Sequence, residues 1–362
     1  MYFGLSEEQK SLEENINRFL ADNAPLDTIK AVANGEESKA DAVHQGILDL
    51  GLSGLVIPEE YGGLELNMLF ATVVAAALGS GTAPVPYTGS CVMAPLAINL
   101  AGSDDQKNQW LPKIAGGECV IGVGLSEYVG AREDAGIEFS NGKLSGRSLF
   151  LIDGKNADAY LLANKSGELF LVEASSPGIE VIELTTVDKT RTSIELILKD
   201  VNADLLSGSS DKSVIEKVLD AGRIMLAADT VGAAQVMLDK SVAYSLERKQ
   251  FGRLIGSFQA VKHMCAEMAA ELEPCHSMIW HAAHCFDNVP EEARLMACQT
   301  KAHISEVGQQ VSKTATEVHG GMGFTDELGL HYWFKRIGLN KQLLGSPELI
   351  REEAGKLQGF DQ

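Results

Sequence analysis

Basic residues are scarce in this chain: 30 lysines and arginines stand against 50 aspartates and glutamates over 362 residues, for a net charge of −20. Nucleic-acid binding is driven largely by basic side chains that displace counterions from phosphates, so this balance excludes a phosphate-backbone partner. An anionic small ligand stays open, because it needs only a local cluster of donors. Long apolar runs are missing too, and without one of roughly 18 residues the sequence offers no membrane span. The start, MYFGLSEEQKSLEENINRFL, is acidic where a signal peptide is basic and then apolar, which leads to the expectation of a cytoplasmic protein.

Paired cysteines are the third absence. The six cysteines (91, 119, 265, 275, 285 and 298) include no C-x-x-C and are expected to be reduced core thiols. One dense group, CHSMIWHAAHC, holds Cys275, His276, His281, His284 and Cys285. His281 and His284 share a helix face, and such ligands suit zinc. Cys275 and Cys285, however, lie about 15 Å apart along one helix, too far for one tetrahedral ion. The expectation is a helix that packs its cysteines and Trp280 against neighbours, with no metal.

What is present falls into three blocks, with no internal repeat. Residues 1–117 read as a bundle of five or six helices, opened by a capping box at Ser6-Glu7-Glu8-Gln9 and broken by IPEEYGGLELN and TAPVPY. Residues 118–210 switch to a period of two, with CVIGVGLS as a strand. Two hairpins follow, GIEFSNGKLSG around Asn141-Gly142 and AYLLANKSGELFLVEA. Residues 211–362 return to helical spacing: one long helix reaching Phe251-Gly252, a second from Phe258-Gln259 with Pro274 as a kink, a third opened by Pro290, and a last one in SPELIREEAGKLQ. The fold class expected is α+β multidomain: an N-terminal helical bundle, a small antiparallel β domain and a C-terminal four-helix bundle.

The run ERKQFGRLIGSFQ sets Arg248, Lys249 and Arg253 beside Phe251, Phe258, Gln250 and Gln259 at a break between two helices. A cationic turn with aromatic walls suits a pyrophosphate joined to an aromatic base. It is equally the composition of a basic helix corner.

That run resembles the signature segment of the acyl-CoA dehydrogenase family. LGLSGLVIPEEYGGL, LPKIAGGECVIGVGLSE, IELILKDVNADLL and EVHGGMGFTDE resemble further segments of it, in the family's order and across nearly the whole chain. The resemblance implies FAD bound between subunits, an acyl-CoA substrate and an electron-transfer acceptor protein. It also implies that a Glu takes the α-proton while a hydride leaves the β-carbon for flavin N5, so base, oxyanion contacts and hydride acceptor must converge. Cofactor-binding roles fall on Arg248, Gln250, Phe251, Phe258, Gln259, Gly320 and Gly321, which in relatives reach a neighbouring subunit's FAD, and on Ser126 and Phe150 in the β domain.

Both usual seats of the base are empty. In relatives it stands in a Tyr-Glu-Gly-Thr run or on the long helix next to an Arg, and here those positions are Leu344 and Gly222, the latter beside Arg223. Phe150 replaces a Trp, Ile152 replaces a flavin-bonding hydroxyl, Glu317 replaces a Gln, and Ser126-Glu127-Tyr128 replaces Thr-Glu-Pro. A branch of the family that acts on CoA thioesters of steroid side chains forms heterotetramers of two unlike short subunits. The length, GTAPVPY and the intact Arg-Phe half fit that branch, which implies a second acyl-CoA dehydrogenase-like subunit. Two alternatives remain: a homo-oligomeric enzyme with Asp229 as base and Arg223 as auxiliary cation, or a scaffold subunit without catalysis.

Overall fold

The computed structural model describes residues 4–130 and 135–360. Six helices come first: α1 (Glu7–Asn23), α2 (Leu26–Ala33), α3 (Glu37–Asp49), α4 (Met68–Ser80), α5 (Ala94–Ala101) and α6 (Asp104–Ala115). The capping box at α1 is present, with Ser6 and Gln9 each bonding the other's backbone amide. Ser103 and Gln106 repeat it at α6. Where α4 crosses the long C-terminal helix, an added Cβ at Gly79 or Gly232 would collide with the facing backbone, so small residues set that approach.

The middle region holds β1 (Ile121–Gly124), the single turn α7 (Ser126–Val129), then β2 (Gly136–Ser140), β3 (Lys143–Leu151), β4 (Ala159–Ala163), β5 (Leu169–Glu173), β6 (Ile179–Leu184), β7 (Ser193–Asn202) and β8 (Asp204–Leu205). They form two four-stranded sheets, ordered β1-β4-β5-β8 and β2-β3-β7-β6. Both expected hairpins form, and Asn141-Gly142 turns the first with two positive φ angles. One pairing departs from the antiparallel pattern: β1 lies parallel to β4, with Ile121 opposite Ala159. The chain makes the β2–β3 hairpin in the other sheet before it returns, and such a crossover permits parallel pairing. AYLLA of β4 reads as uniformly apolar because both faces are covered. Tyr160 and Leu162 pack between the sheets, while Leu161 and Ala163 pack against the helices.

The C-terminal region begins with α8 (Lys212–Glu247), about 54 Å long. It ends four residues before the expected Phe251, because β9 (Lys249–Gln250) and β10 (Arg253–Leu254) make a minimal hairpin turned by Phe251-Gly252 at φ +52° and +76°. Next come α9 (Gln259–Asn288), one unbroken helix through Pro274, and α10 (Pro290–His319), with Pro290 in its first turn. The last two are α11 (Leu330–Gln342), a helix the sequence patterns did not isolate, and α12 (Pro347–Leu357), capped by Ser346. Among the described residues no helix is long and apolar enough to cross a membrane.

Candidate functional site

The two empty seats turn out to be one place. A Cβ built on Gly222 of α8 would stand 2.5 Å from Leu344 Cδ1 and 2.6 Å from Met93 Sδ. Leu344, on the α11–α12 link, is buried in one apolar cluster with Met93, Leu226, Leu339 and Leu343, and the β domain adds Val123, Leu125 and Ile152 to it. No carboxylate reaches this spot among those residues; it is filled core.

Two buried cations fix the link that carries Leu344. Arg223 donates from Nε to the Leu344 carbonyl (3.1 Å), from Nη1 to Cys298 Sγ (3.3 Å) and from Nη2 to Glu353 (2.8 Å). All three guanidinium nitrogens are engaged. Lys301 donates from Nζ to the carbonyls of Asn340 (2.8 Å) and Lys341 (3.4 Å) and to Ser305 Oγ (3.1 Å), closing the end of α11. Burial, with Arg223 and Lys341 nearby, pulls the Lys301 ammonium down to about 7. An unfolded lysine keeps its proton up to about 10.4, so between these values the unfolded chain binds more protons and stability rises with pH. Urea unfolding from pH 7 to 10 should therefore show a steeper rise in stability for the wild type than for Lys301→Met. Parallel pH profiles would rule out the lowered proton affinity of Lys301.

Asp229 is equally committed. Its Oδ1 accepts from Arg336 Nε (3.0 Å) and Asn340 Nδ2 (2.6 Å), and its Oδ2 from Arg336 Nε (3.1 Å) and Nη2 (2.6 Å). Arg191 Nη1 stands 3.9 Å from Oδ2. Burial pushes the carboxyl up, but Arg336 and Arg191 outweigh it and hold the group below the ordinary carboxylate range. A carboxylate with its acceptor positions taken and its proton affinity lowered holds α8 to α11 as a buried anion.

The cationic turn looks very different. Arg248, Lys249, Gln250, Phe251, Arg253 and Gln259 are all exposed, Phe251 at 93%. Arg253 stacks on the Phe258 ring at 3.9 Å, and the Phe251 and Phe258 rings meet edge to face at 6.2 Å. The Gln250 side chain bonds the neighbouring Lys249 carbonyl (2.8 Å), and Gln259 meets His263 at 3.0 Å. Gly320 and Gly321 follow the end of α10 in an open position where an added Cβ meets nothing within 4 Å. The turn and the glycine loop are brought together by Tyr244, one helical turn before Arg248, whose ring stacks at 4.6 Å on His319, the residue before Gly320. That pair was missed in the sequence, although Tyr244 at i−4 from Arg248 is the signal that could have found it. The resulting arc lies about seven helical turns beyond Gly222, roughly 39 Å along α8.

In the β domain, Ser126 opens α7, and Glu127 beside it is buried. Glu127 accepts from Leu149 N (2.8 Å) and Ser148 Oγ (3.2 Å), which braces the strand just before Phe150. Burial raises its carboxyl above the usual range, against those hydrogen bonds. Phe150 itself sits at φ +51° and is 46% exposed. Ile152 is buried against Val123, bonded backbone to backbone across an isolated bridge. Asp153 accepts from Gly89 N (2.6 Å) and Ser90 N (3.2 Å), and burial raises its carboxyl to about 6. A 470 Å³ groove runs past Ile152 and Leu343 toward Pro84, Pro86 and His44, but its walls include none of Gly222, Leu344 and Phe150. An isoalloxazine ring placed between β1 and Leu344 would displace buried side chains of the cluster around Leu344. The exposed arc, with cations, aromatic faces and glycine backbone, does fit the diphosphate and adenine portion of a dinucleotide.

Comparison with known proteins bears on both halves. Residues 6–118 match the model of the acyl-CoA dehydrogenase N-terminal domain, and residues 212–356 that of the acyl-CoA dehydrogenase C-terminal domain. The chain is 28% identical to "Probable acyl-CoA dehydrogenase YngJ" of Bacillus subtilis, over 97% of this chain and 98% of that one. Among solved structures, "Tcur3481-Tcur3483 steroid ACAD G363A variant" superposes with a TM-score of 0.87 at 26% identity, covering 98% of both chains. The ChsE4-ChsE5 complex from Mycobacterium tuberculosis superposes with a TM-score of 0.90, covering all of both chains; at 23% identity it is a likeness of fold. The chain belongs to the acyl-CoA dehydrogenase family, oxidoreductases that act on CH–CH bonds.

Proposed function

We propose that this chain is one subunit of a hetero-oligomeric, FAD-dependent acyl-CoA dehydrogenase, and that it lends its Arg248–Gly321 arc to a flavin whose ring is seated in an unlike partner. The observation that carries the reading is the contrast within one chain. The arc is solvent-exposed, whereas Gly222 and Leu344, the positions where the family resemblance seeks a base, lie in apolar core. At roughly 39 Å along α8 the two cannot serve one ligand, so the arc is built for a neighbour.

A bound FAD would supply the acceptor for a hydride from the β-carbon of an acyl-CoA thioester, and the partner would supply the carboxylate for the α-proton. This chain's residues bind and orient. The Arg248 guanidinium would pair with the diphosphate, Phe251 and Phe258 would give apolar walls to the adenine side, and Gly320 and Gly321 would let backbone amides approach. An electron-transfer protein removes the reducing equivalents. The steroid-type solved relative supports a bulky ring-bearing acyl group as the substrate class. Co-expression with a second dehydrogenase-like chain tests the reading. Flavin and dehydrogenation of an acyl-CoA are expected in the complex and not in this chain alone, and activity of this chain alone would contradict it.

A further inference from the structure

We propose that the turn between α9 and α10 carries a divalent-metal site of the zinc type, with His281, Cys285 and Glu292 as ligands. Cys285 Sγ lies 3.7 Å from Nε2 and 3.9 Å from Nδ1 of His281. Ligand atoms of all three residues lie within 4.8 Å of one another. A tetrahedral zinc with sulfur at about 2.3 Å and nitrogen at about 2.0 Å holds those two atoms roughly 3.5 Å apart. The His281–Cys285 pair thus already stands close to the bite of one ion, and Glu292 needs only a side-chain rotation to join.

Local structure explains the juxtaposition. His281 and Cys285 are one helical turn apart on α9 and share a face. α9 ends at Asn288 and Pro290 opens α10 at once, so Glu292 in the first turn of α10 folds back against the last turn of α9. Cys275, the partner that the sequence spacing brought forward, is not in the group.

The surroundings favour a cation. Cys285 is buried, and Glu291 and Glu292 in the first turn of α10 place negative charge beside it. Binding replaces the thiol proton with the ion, releases that proton to solvent, and joins one thiolate, one imidazole nitrogen and one carboxylate oxygen. Water completes the fourth position. A thiolate with an imidazole selects zinc-type ions over magnesium or calcium. The site clamps α9 to α10 at the end of the helical hairpin remote from the arc, about 39 Å of helix from Gln259. Its success or failure is therefore independent of the flavin reading.

The test is a cobalt(II) titration of the metal-free chain followed by absorption. The expected result is a near-ultraviolet thiolate-to-cobalt charge-transfer band with visible bands of a tetrahedral ion, saturating at one ion per chain and erased by excess zinc. Cys285→Ser should abolish the charge-transfer band. His281→Asn, on the exposed side of the site, should weaken binding about tenfold or more with the helical circular dichroism intact. Cys275→Ser should change nothing. Absence of the charge-transfer band, or its survival in Cys285→Ser, would overturn the proposal.

Discussion

Replacing Arg248 with Ala should strip flavin from the assembled complex while leaving the assembly and this chain's stability unchanged. Arg248 is exposed at the end of α8. Its loss therefore removes no core contact, and surface changes of this kind stay within about 0.5 kcal/mol. A charge-assisted bond from a guanidinium to a phosphate contributes about 1.5–3 kcal/mol, so flavin retention should weaken roughly 10- to 150-fold. Phe251→Ala should act in the same direction, since the ring, at a positive-φ turn tip, meets Phe258 edge to face and is otherwise 93% exposed. Equilibrium dialysis of the complex against graded FAD reads the change directly. Unaltered flavin affinity in Arg248→Ala would favour a subunit that only scaffolds its partner.

The largest stability effect should come from Asp229→Ala. The change leaves Arg336 buried at 2% exposure, with its Nε and Nη2 donors unmet and only Ala83 and Thr190 still accepting from Nη1. An uncompensated buried charge of this kind costs about 3–5 kcal/mol. The pair Asp229→Leu with Arg336→Met should recover much of the loss, because an apolar pair of similar volume avoids the desolvation of both charges. The lowered carboxyl also sets a sign: its contribution is present above the ordinary carboxylate range and fades as pH falls through the folded value. Urea midpoints give the energies, and a loss under about 1 kcal/mol for Asp229→Ala would contradict the network. A shift in the pH–rate profile of the complex in Asp229→Asn would return that residue to the chemistry.

Much of the architecture was legible in the sequence because local rules dominate there. Capping residues, the Asn141-Gly142 turn, Pro290 and the change of period from helical to two are backbone chemistry. The parallel β1–β4 pair was not, since pairing after a crossover depends on residues far apart in the chain. α11 was hidden for a related reason: its buried Tyr332, Trp333, Arg336 and Asn340 mix polar with apolar residues, and Arg336 and Asn340 find partners in residues far off in the chain, Asp229 and Ala83 among them. The arc residues could be placed by motif, but their exposure could not. That residues 222 and 344 are glycine and leucine was legible one residue at a time; that they share one packed spot needed the fold. Asp229 shared a helix face with Gly222, yet spacing could not reveal that Arg336 and Asn340 already held it.

The most direct measurement is the visible absorption spectrum of this chain purified alone, expressed as flavin per subunit. A packed seat around Leu344 and an arc built for a neighbour require an essentially colourless protein that acquires flavin only when produced together with its partner chain. A full complement of FAD on the isolated chain would contradict that account, and would mean that the core around Leu344, Met93 and Ile152 opens to seat a flavin of its own.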